Sequence, residues 1–463
     1  MAAFTVEQLG AILGGRVLQQ GRAKKFNGVS IDSRLVKKGN LFVAIRGVNV
    51  DGHDFISEAV HRGAVGIVVS KKRMPRPPAS LMVMRVSDTT QALGQLAHAH
   101  RMRFQIPVIA VTGSAGKTTT KEMIAGALSP RYRVLRNKGS FNNFWGVPLT
   151  LLRLSSRHDV AVVELGTSRL GEISYLSKIV RPTVAVLTNI GPAHLEGLQS
   201  VENVYREKRS IFQGLEPDGT IVLNADDRFL SSMRRMKRKI WCYGVKKKAD
   251  VTAREIILDA RGRTCFLVNG CHAVCLKTPV WDNVLNALAA VCCARLLGLS
   301  FREILTGLEK VRFRQGRQQV ERINSLTVIN DSYNANPVSF RSALFTLDRF
   351  PAKGRRILVC GDMLELGAET KVLHRELGRL IAQLHVDMVF AFGSSMAVCA
   401  KEIKKYDRKK AISIYDKITA LNRRLVKTIL PGDVILVKGS HGMRLDRVVS
   451  FLKKRRRGAC SIS

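Results

Sequence analysis

No stretch of this 463-residue chain stays apolar for the ~18 residues that a membrane-spanning helix requires. The opening segment MAAFTVEQLGAILGG has neither a cationic lead nor the apolar core of an export signal, so a cytoplasmic protein is expected. Cysteine is sparse: the nine present, with Cys292 and Cys293 adjacent in an alanine-rich helical stretch, read as buried or free thiols and not as a disulfide framework. Cys271, His272 and Cys275 fall short of a zinc site, because a fourth ligand and a paired knuckle are missing; a short strand is the better reading. The ending KKRRRGACSIS imitates a prenylation box, but Ser461 is not aliphatic. Internal repeats and low-complexity linkers are absent.

Acidic residues are also scarce. The 36 Asp and Glu stand against 76 Lys and Arg, for a net charge of +40, which raises a nucleic-acid-binding ATPase as a rival class. The basic clusters, at 24–25, 71–73, 234–239, 246–248, 408–410 and 453–457, are scattered through loops and helix faces. They come with no aromatic-rich RNA motif or DNA-reading module, so they read as solvated surface and no nucleic-acid partner is expected. Such a field steers anionic substrates, and a weak attraction to an acidic membrane surface is a secondary expectation.

What the chain does have is α/β alternation in three parts. Residues 1–105 alternate apolar runs (41–45, 66–69, 81–86) with helical stretches, the last a helix at 91–103, and Pro75 to Pro78 mark a surface loop. Residues 106–313 carry VAVVELG, VAVLTNIG and GTIVLNAD between helical segments, the pattern of a parallel sheet. After a turn at 312–317, residues 314–463 repeat that style with apolar runs at 326–329, 356–360, 388–392 and 434–437.

The most informative segment is PVIAVTGSAGKTTTKE at 107–122. An apolar strand feeds the loop Gly113, Ser114, Ala115, Gly116, which ends in Lys117, Thr118 and Thr119. Backbone amides and a helix N-terminus can face an anion there, with Lys117 on a terminal phosphate and Thr118 on Mg²⁺. Val111 stands where the common phosphate-loop pattern has its first glycine, so a tight strand-to-helix turn with a solvated lysine stays open. Glu164 ends an apolar strand, a costly position unless the carboxylate is paired, metal-bound or exposed.

The shortened loop T-G-x-x-G-K-T-T resembles that of the Mur ligase superfamily, whose members join amino acids or peptides to carboxylates using ATP. GSFNNFWGVPLTLL, VELG, TNIGPAHLEGL and REKRSIF follow in the order expected of that family. DSR, GNLFVAIRGVNVDGHDF, NDSYNANP, GDMLELG with His374, and VKGSHGM are similar to the branch that adds D-alanyl-D-alanine to UDP-MurNAc-tripeptide. The D-N-P-R signature of the diaminopimelate-adding branch is missing. The resemblance implies a monomer with a three-domain α/β architecture: a UDP-substrate domain at 1–105, an ATP domain at 106–313 with a P-loop-type, mostly parallel sheet, and a Rossmann-like ligase domain at 314–463.

It further implies ATP and two Mg²⁺ ions. Residues 113–119 would hold phosphates, Thr118 and Glu164 the first ion, and His194 with a carbamylated Lys208 the second. Asn286 would meet adenine, and Arg317 and Asp331 would reach the nucleotide from the third domain. Ser33, Arg34, Asp51, Gly52, His53, Asn142, Asn143, Tyr333, Asn334 and Asn336 would contact the acceptor and amine substrates. Read locally, Lys208 is an exposed helical lysine, His194 a capping or core histidine, and Asn142 and Asn143 turn formers. One departure concerns adenine: the family's G-x-H-N is replaced by Val280-Trp281-Asp282-Asn283, with Trp281 expected as a substitute stacking face.

Overall fold

The computed structural model describes residues 2–70, 77–259, 262–313 and 316–458, with backbone alone for 455–458. The basic cluster at 71–73, Pro75 and Arg76, Arg314 and Gln315 of the expected turn, and Cys460 lie outside the described residues.

Three large sheets organise the chain. The first has five strands in the order Arg16–Gln19, Met82–Arg85, Ala64–Val69, Asn40–Val43, Val29–Ser30, parallel except for the first pair. A two-stranded ribbon of Ala3–Thr5 and Lys25–Asn27 flanks it. The expected helix at 91–103 is Thr89–Arg101, capped by the Asp88 carboxylate on the Thr90 and Gln91 amides.

The second sheet has nine strands. Parallel pairing runs from Val134–Arg136 through Val160–Glu164, Val108–Thr112, Val184–Leu187, Thr220–Asn224 and Lys239–Gly244 to Val251–Leu258. Thr264–Val268 and His272–Leu276 extend it as antiparallel strands. Val108–Thr112 and Val160–Glu164 are buried along their whole length, which is why they read as unbroken apolar runs and not as alternating ones. The strand order reverses at Val108–Thr112: the chain goes next to one flank, then crosses to Val184–Leu187 on the other. Such a reversal opens a crevice beyond the carboxyl ends of the strands. Helix Lys117–Leu128 starts at that crevice and packs on Asn283–Leu296 and Phe301–Glu309. The last contact requires glycine, since a Cβ on Gly307 would lie 2.3 Å from the Gly126 carbonyl oxygen.

The third sheet has six strands in the order Gln319–Ile323, Leu326–Asp331, Val434–Lys438, Arg356–Gly361, Met388–Phe392, Ala411–Tyr415. Only the first pair is antiparallel. Register sets Asp331 beside Lys438 at the carboxyl ends of two neighbouring strands. No helix among the described residues is long and apolar enough to cross a membrane.

The expectation about cysteine needs correction. Cys265 and Cys275 stand directly opposite each other in the antiparallel pair and form a disulfide. Hairpin register, which spacing alone does not reveal, decides that pairing. Cys242, Cys271, Cys292, Cys293, Cys360 and Cys399 are free. The same hairpin removes the metal alternative: Cys275 is bonded, and His272 stacks on Phe301 at 3.9 Å. HAVC is the short strand that was expected.

Candidate active site between the second and third sheets

Helix Lys117–Leu128 begins at Gly116, whose φ of 79° favours glycine and whose Cβ would stand 2.7 Å from the Asn286 amide oxygen. Gly113 is tighter still: a Cβ there would lie 2.0 Å from the Thr188 hydroxyl. Asn189 rigidifies the loop, its backbone carbonyl accepting from the Ser114 amide and its side-chain oxygen from the Ala115 amide. These two amides are therefore already engaged. The N–H groups without intrahelical partners are those of the first turn, Gly116 through Thr119. The Lys117 amine donates to the Gly113 and Ser114 carbonyls at 2.7 and 3.3 Å. Burial, opposed by Glu164 and reinforced by Arg317, lowers its pKa to about 8.

Glu164 ends its strand one register step from the loop, opposite Val111. Its Oε1 accepts from the Thr118 hydroxyl at 3.0 Å and from Asn142 Nδ2 at 2.8 Å, while Oε2 is buried without a hydrogen-bond partner. The buried Lys121 ammonium stands 3.6 Å from Oε2 and is held by the carbonyls of Asn137 and Gly139. Lys121 went unremarked in the sequence. Its spacing of one helical turn from Lys117 and Thr118 was the available signal, because it puts all three on one side of the helix.

Residues Ser114 to Thr119, Asn142 and Glu164 line a cleft of about 800 Å³ that also takes in Asn143, His194, Asn286, Arg317, Asp331, Tyr333, Asn334 and Asn336. The third sheet closes it. Asn336 Nδ2 donates to the Ser114 carbonyl at 3.2 Å, the Ser140 hydroxyl bonds the Tyr333 hydroxyl, and the Arg317 guanidinium lies 4.1 Å over the Tyr333 ring. Burial pushes the Asp331 carboxyl above the usual carboxylate range, against the pull of Lys438 at 2.6 Å. His194 Nδ1 meets Glu365 Oε2 of the third unit at 2.5 Å.

Residues 25–101 match the Mur ligase catalytic domain, 111–294 the Mur ligase middle domain, and 316–441 the Mur ligase glutamate ligase domain. Two relatives named UDP-N-acetylmuramoyl-tripeptide–D-alanyl-D-alanine ligase align over nearly all of both chains. The one from Bacillus subtilis is 34% identical, covering 98% of this chain and 99% of its own length. The one from Escherichia coli is 35% identical, covering 99% of this chain and 100% of its own length. The chain belongs to the Mur ligase family. The crystal structure of MurF from Acinetobacter baumannii superposes with a TM-score of 0.89 at 32% identity, covering 98% of this chain and 99% of that one. MurF from Thermotoga maritima, solved with ADP, superposes with a TM-score of 0.83 at 30% identity, covering 94% and 98%. The mixed α/β fold with mostly parallel sheets is thus that of three-domain Mur ligases.

Within this Mur ligase, not every candidate converges. Lys208, on helix Val201–Arg209, is 1% exposed and is not among the residues that line the cleft, and its amine has no hydrogen-bond partner. Burial first, and the charge of Lys117 second, push that amine well below the ordinary lysine pKa. This overturns the local reading of an exposed lysine. Its neighbour Glu207, also buried, accepts from the Gly171 and Ile173 amides and so caps helix Glu172–Val180. Val280, Asp282 and Asn283 line the cleft but Trp281 does not, which corrects the expectation of a stacking face there. Asn286 is fixed by Thr120 and Asn283 instead. His374 is buried away from the cleft, accepting from the Met363 amide and bonded to the Thr370 carbonyl.

Ser33, Arg34, Asp51, Gly52 and His53 stand apart, in two turns of the first unit outside the cleft lining. Ser33 donates to Glu58, and Arg34 pairs with Asp32. Asp51 holds the His53 amide and ring, while His53 Nε2 accepts from the Ser70 amide.

Proposed function

We infer that this chain ligates D-alanyl-D-alanine to UDP-MurNAc-tripeptide at the expense of ATP, giving UDP-MurNAc-pentapeptide, ADP and phosphate in peptidoglycan precursor synthesis. The observation that carries the chemistry is Glu164: a buried carboxylate with one oxygen that accepts no hydrogen bond and has the Lys121 amine at 3.6 Å, set against Thr118 at the helix N-terminus that bears Lys117. No three His, Cys, Asp or Glu among the described residues cluster to hold a metal. That suits Mg²⁺, which is usually held by one or two carboxylates plus substrate phosphates. Thr118 and Glu164 are the proposed protein ligands of one ion, and His194 with Lys208 those of a second. The ions would neutralise charge between two anionic reactants.

The chain's residues then have distinct tasks. The first-turn amides and the dipole of helix Lys117–Leu128 receive phosphate oxygens, and Lys117 exchanges its carbonyl contacts for the terminal phosphate. Asn286 borders the base. Arg317 and Asp331 meet the nucleotide from the third domain, Lys438 holding the Asp331 carboxylate in place. Asn142, Asn143, Tyr333, Asn334 and Asn336 flank the acceptor carboxylate and the amine. The carboxylate oxygen bonds to the γ-phosphorus as ADP leaves; the amine nitrogen then bonds to the acyl carbon, phosphate departs, and the nitrogen gives up a proton. The Ser33–Arg34 and Asp51–His53 turns are proposed for the UDP end of the acceptor.

Lys208 is proposed to be carbamylated. A neutral amine attacks CO₂ through its lone pair, and burial favours that neutral form here. As the C–N bond forms, one C=O π pair moves onto oxygen and the nitrogen gives up a proton to solvent. The product is a carbamate anion able to ligate the second cation, whereas an ammonium would repel it. Domain limits at 105/106 and 313/314, a monomeric cytoplasmic state, and weak attraction of the basic surface to acidic membranes belong to the same proposal.

The test is direct: incubate the chain with ATP, Mg²⁺, a UDP-MurNAc-tripeptide and D-alanyl-D-alanine, and weigh the products. Pentapeptide and ADP, with ATP turnover needing both substrates, are expected. ATP turnover stimulated by RNA or DNA without an amide product would replace this reading with a nucleic-acid-dependent ATPase.

A further inference from the structure

His194 adopts a backbone conformation that few non-glycine residues take, φ 53° and ψ 37°, at the start of helix Leu195–Leu198. Glu365, facing it from the third unit, is left-handed too, with φ 62°. The two stand 171 positions apart in sequence. The backbone closes the same contact, since the Glu196 N–H donates to the Glu365 carbonyl at 3.1 Å. Gly367, φ 55°, packs so closely that a Cβ there would lie 3.3 Å from the Glu196 Cα. Unfavourable backbone conformations persist only where surrounding contacts over-determine them, and they cluster at functional sites.

The side-chain geometry is specific. The contact with Glu365 is made through Nδ1 of His194, so Nε2 is the ring nitrogen that this carboxylate does not engage. His194 lines both the large cleft and a cavity of about 90 Å³ in which Glu365 stands. Metal-binding histidines almost always give their second N–H to a carboxylate, a carbonyl or water, which fixes both tautomer and ring orientation.

We propose that Glu365 is the positioning residue of the second cation site: carried by the third unit, it holds His194 of the second unit with Nε2 available, so that docking of the third unit completes the site. This rests on the ligase reading above. It makes cation binding and domain docking one event, because the loop that orients His194 arrives with Arg317 and Asp331. The charge between ATP and the acceptor is thereby neutralised only in the closed enzyme.

The experiment uses the full chain with Mn²⁺ as probe, counted by electron paramagnetic resonance at saturating non-hydrolysable ATP analogue and UDP-MurNAc-tripeptide. Two cations are expected, the second being the one lost in H194A. E365A should weaken that second cation by ~10–100-fold while the first cation and the nucleotide keep their affinities. E365Q should fall between, and the H194A/E365A double variant should bind no worse than H194A. Unchanged second-cation affinity in E365A overturns the proposal. So does a loss of nucleotide affinity with normal second-cation binding once nucleotide saturates, which would make Glu365 a domain latch only. A wild-type chain that binds a single cation overturns the proposal; two cations with the expected E365A loss, but no pentapeptide in the separate incubation with ATP and D-alanyl-D-alanine, supports the positioning role and removes the ligase reading.

Discussion

The turns of the first unit and the cleft of the second handle polar groups in opposite ways. In the turns, polar side chains satisfy one another: Ser33 with Glu58, Asp32 with Arg34, Asp51 with His53, and His53 with Ser70. In the second unit, Glu164 Oε2 at the cleft and the Lys208 amine are buried with no hydrogen-bond partner. A buried polar atom without a partner costs about 1–3 kcal/mol. The first region is complete on its own, whereas Glu164 and Lys208 leave hydrogen-bonding capacity that the proposed cations would use.

Lys208 should show the largest effect and the clearest contrast. Lys208→Ala should be nearly inactive, with part of the rate restored by a small carboxylic acid at high concentration and none by bicarbonate. Lys208→Met should equally lose ligation yet raise the stability of the ligand-free chain by ~1–3 kcal/mol in CO₂-free buffer, as it removes an unsatisfied group. A thermal melt reads this. A destabilised Lys208→Met chain would mean that the amine has a partner and the contrast is false.

Next come the groups facing phosphate and metal. Lys117→Ala should lower turnover at least ~10²-fold with a normal melt, since the backbone cradle survives without its cation. Glu164→Ala and His194→Ala should each weaken the Mg²⁺ dependence of the rate without unfolding the chain. Wild-type rates for both across a Mg²⁺ titration would remove them from the metal site.

A smaller effect concerns pH. With its pKa lowered to about 8, Lys117 is protonated below that pH and neutral above it in the free chain. A bound polyphosphate favours the charged form and raises the pKa. Binding of ADP in EDTA should therefore be flat below pH ~8, weaken above it, and take up protons there. Calorimetry in buffers of different ionisation enthalpy checks the uptake; proton release would reverse the assignment.

The smallest effect belongs to the self-satisfied region. Asp51→Ala removes a turn cap and the anchor of a buried histidine, so it should cost ~1–2 kcal/mol of stability. It should raise KM for the UDP substrate and leave Mg²⁺ dependence unchanged.

Much of this site was legible because local pattern and local structure coincide. The apolar run ending in Gly113 to Thr119 folds as a strand, loop and helix, and Glu164 does end its strand beside it. The parallel sheets were legible as unbroken apolar runs, although their ends shifted by a residue or two. What escaped depends on contacts distant in sequence. Glu365 and Lys438 reach their partners across 171 and 107 positions, and nothing in GDMLELG or VKGSHGM singles out those side chains. The Cys265–Cys275 bond follows hairpin register, and Trp281 is not among the cleft-lining residues although Val280, Asp282 and Asn283 are.

The most direct measurement supplies ¹³C-labelled bicarbonate to the full chain with Mg²⁺ and nucleotide, and records the ¹³C spectrum beside that of Lys208→Ala. A carbamate resonance in the wild type that vanishes in the variant is the expected result. The absence of that resonance, or its persistence in the variant, would contradict the claim that the unpartnered Lys208 amine is completed by CO₂ to hold a cation.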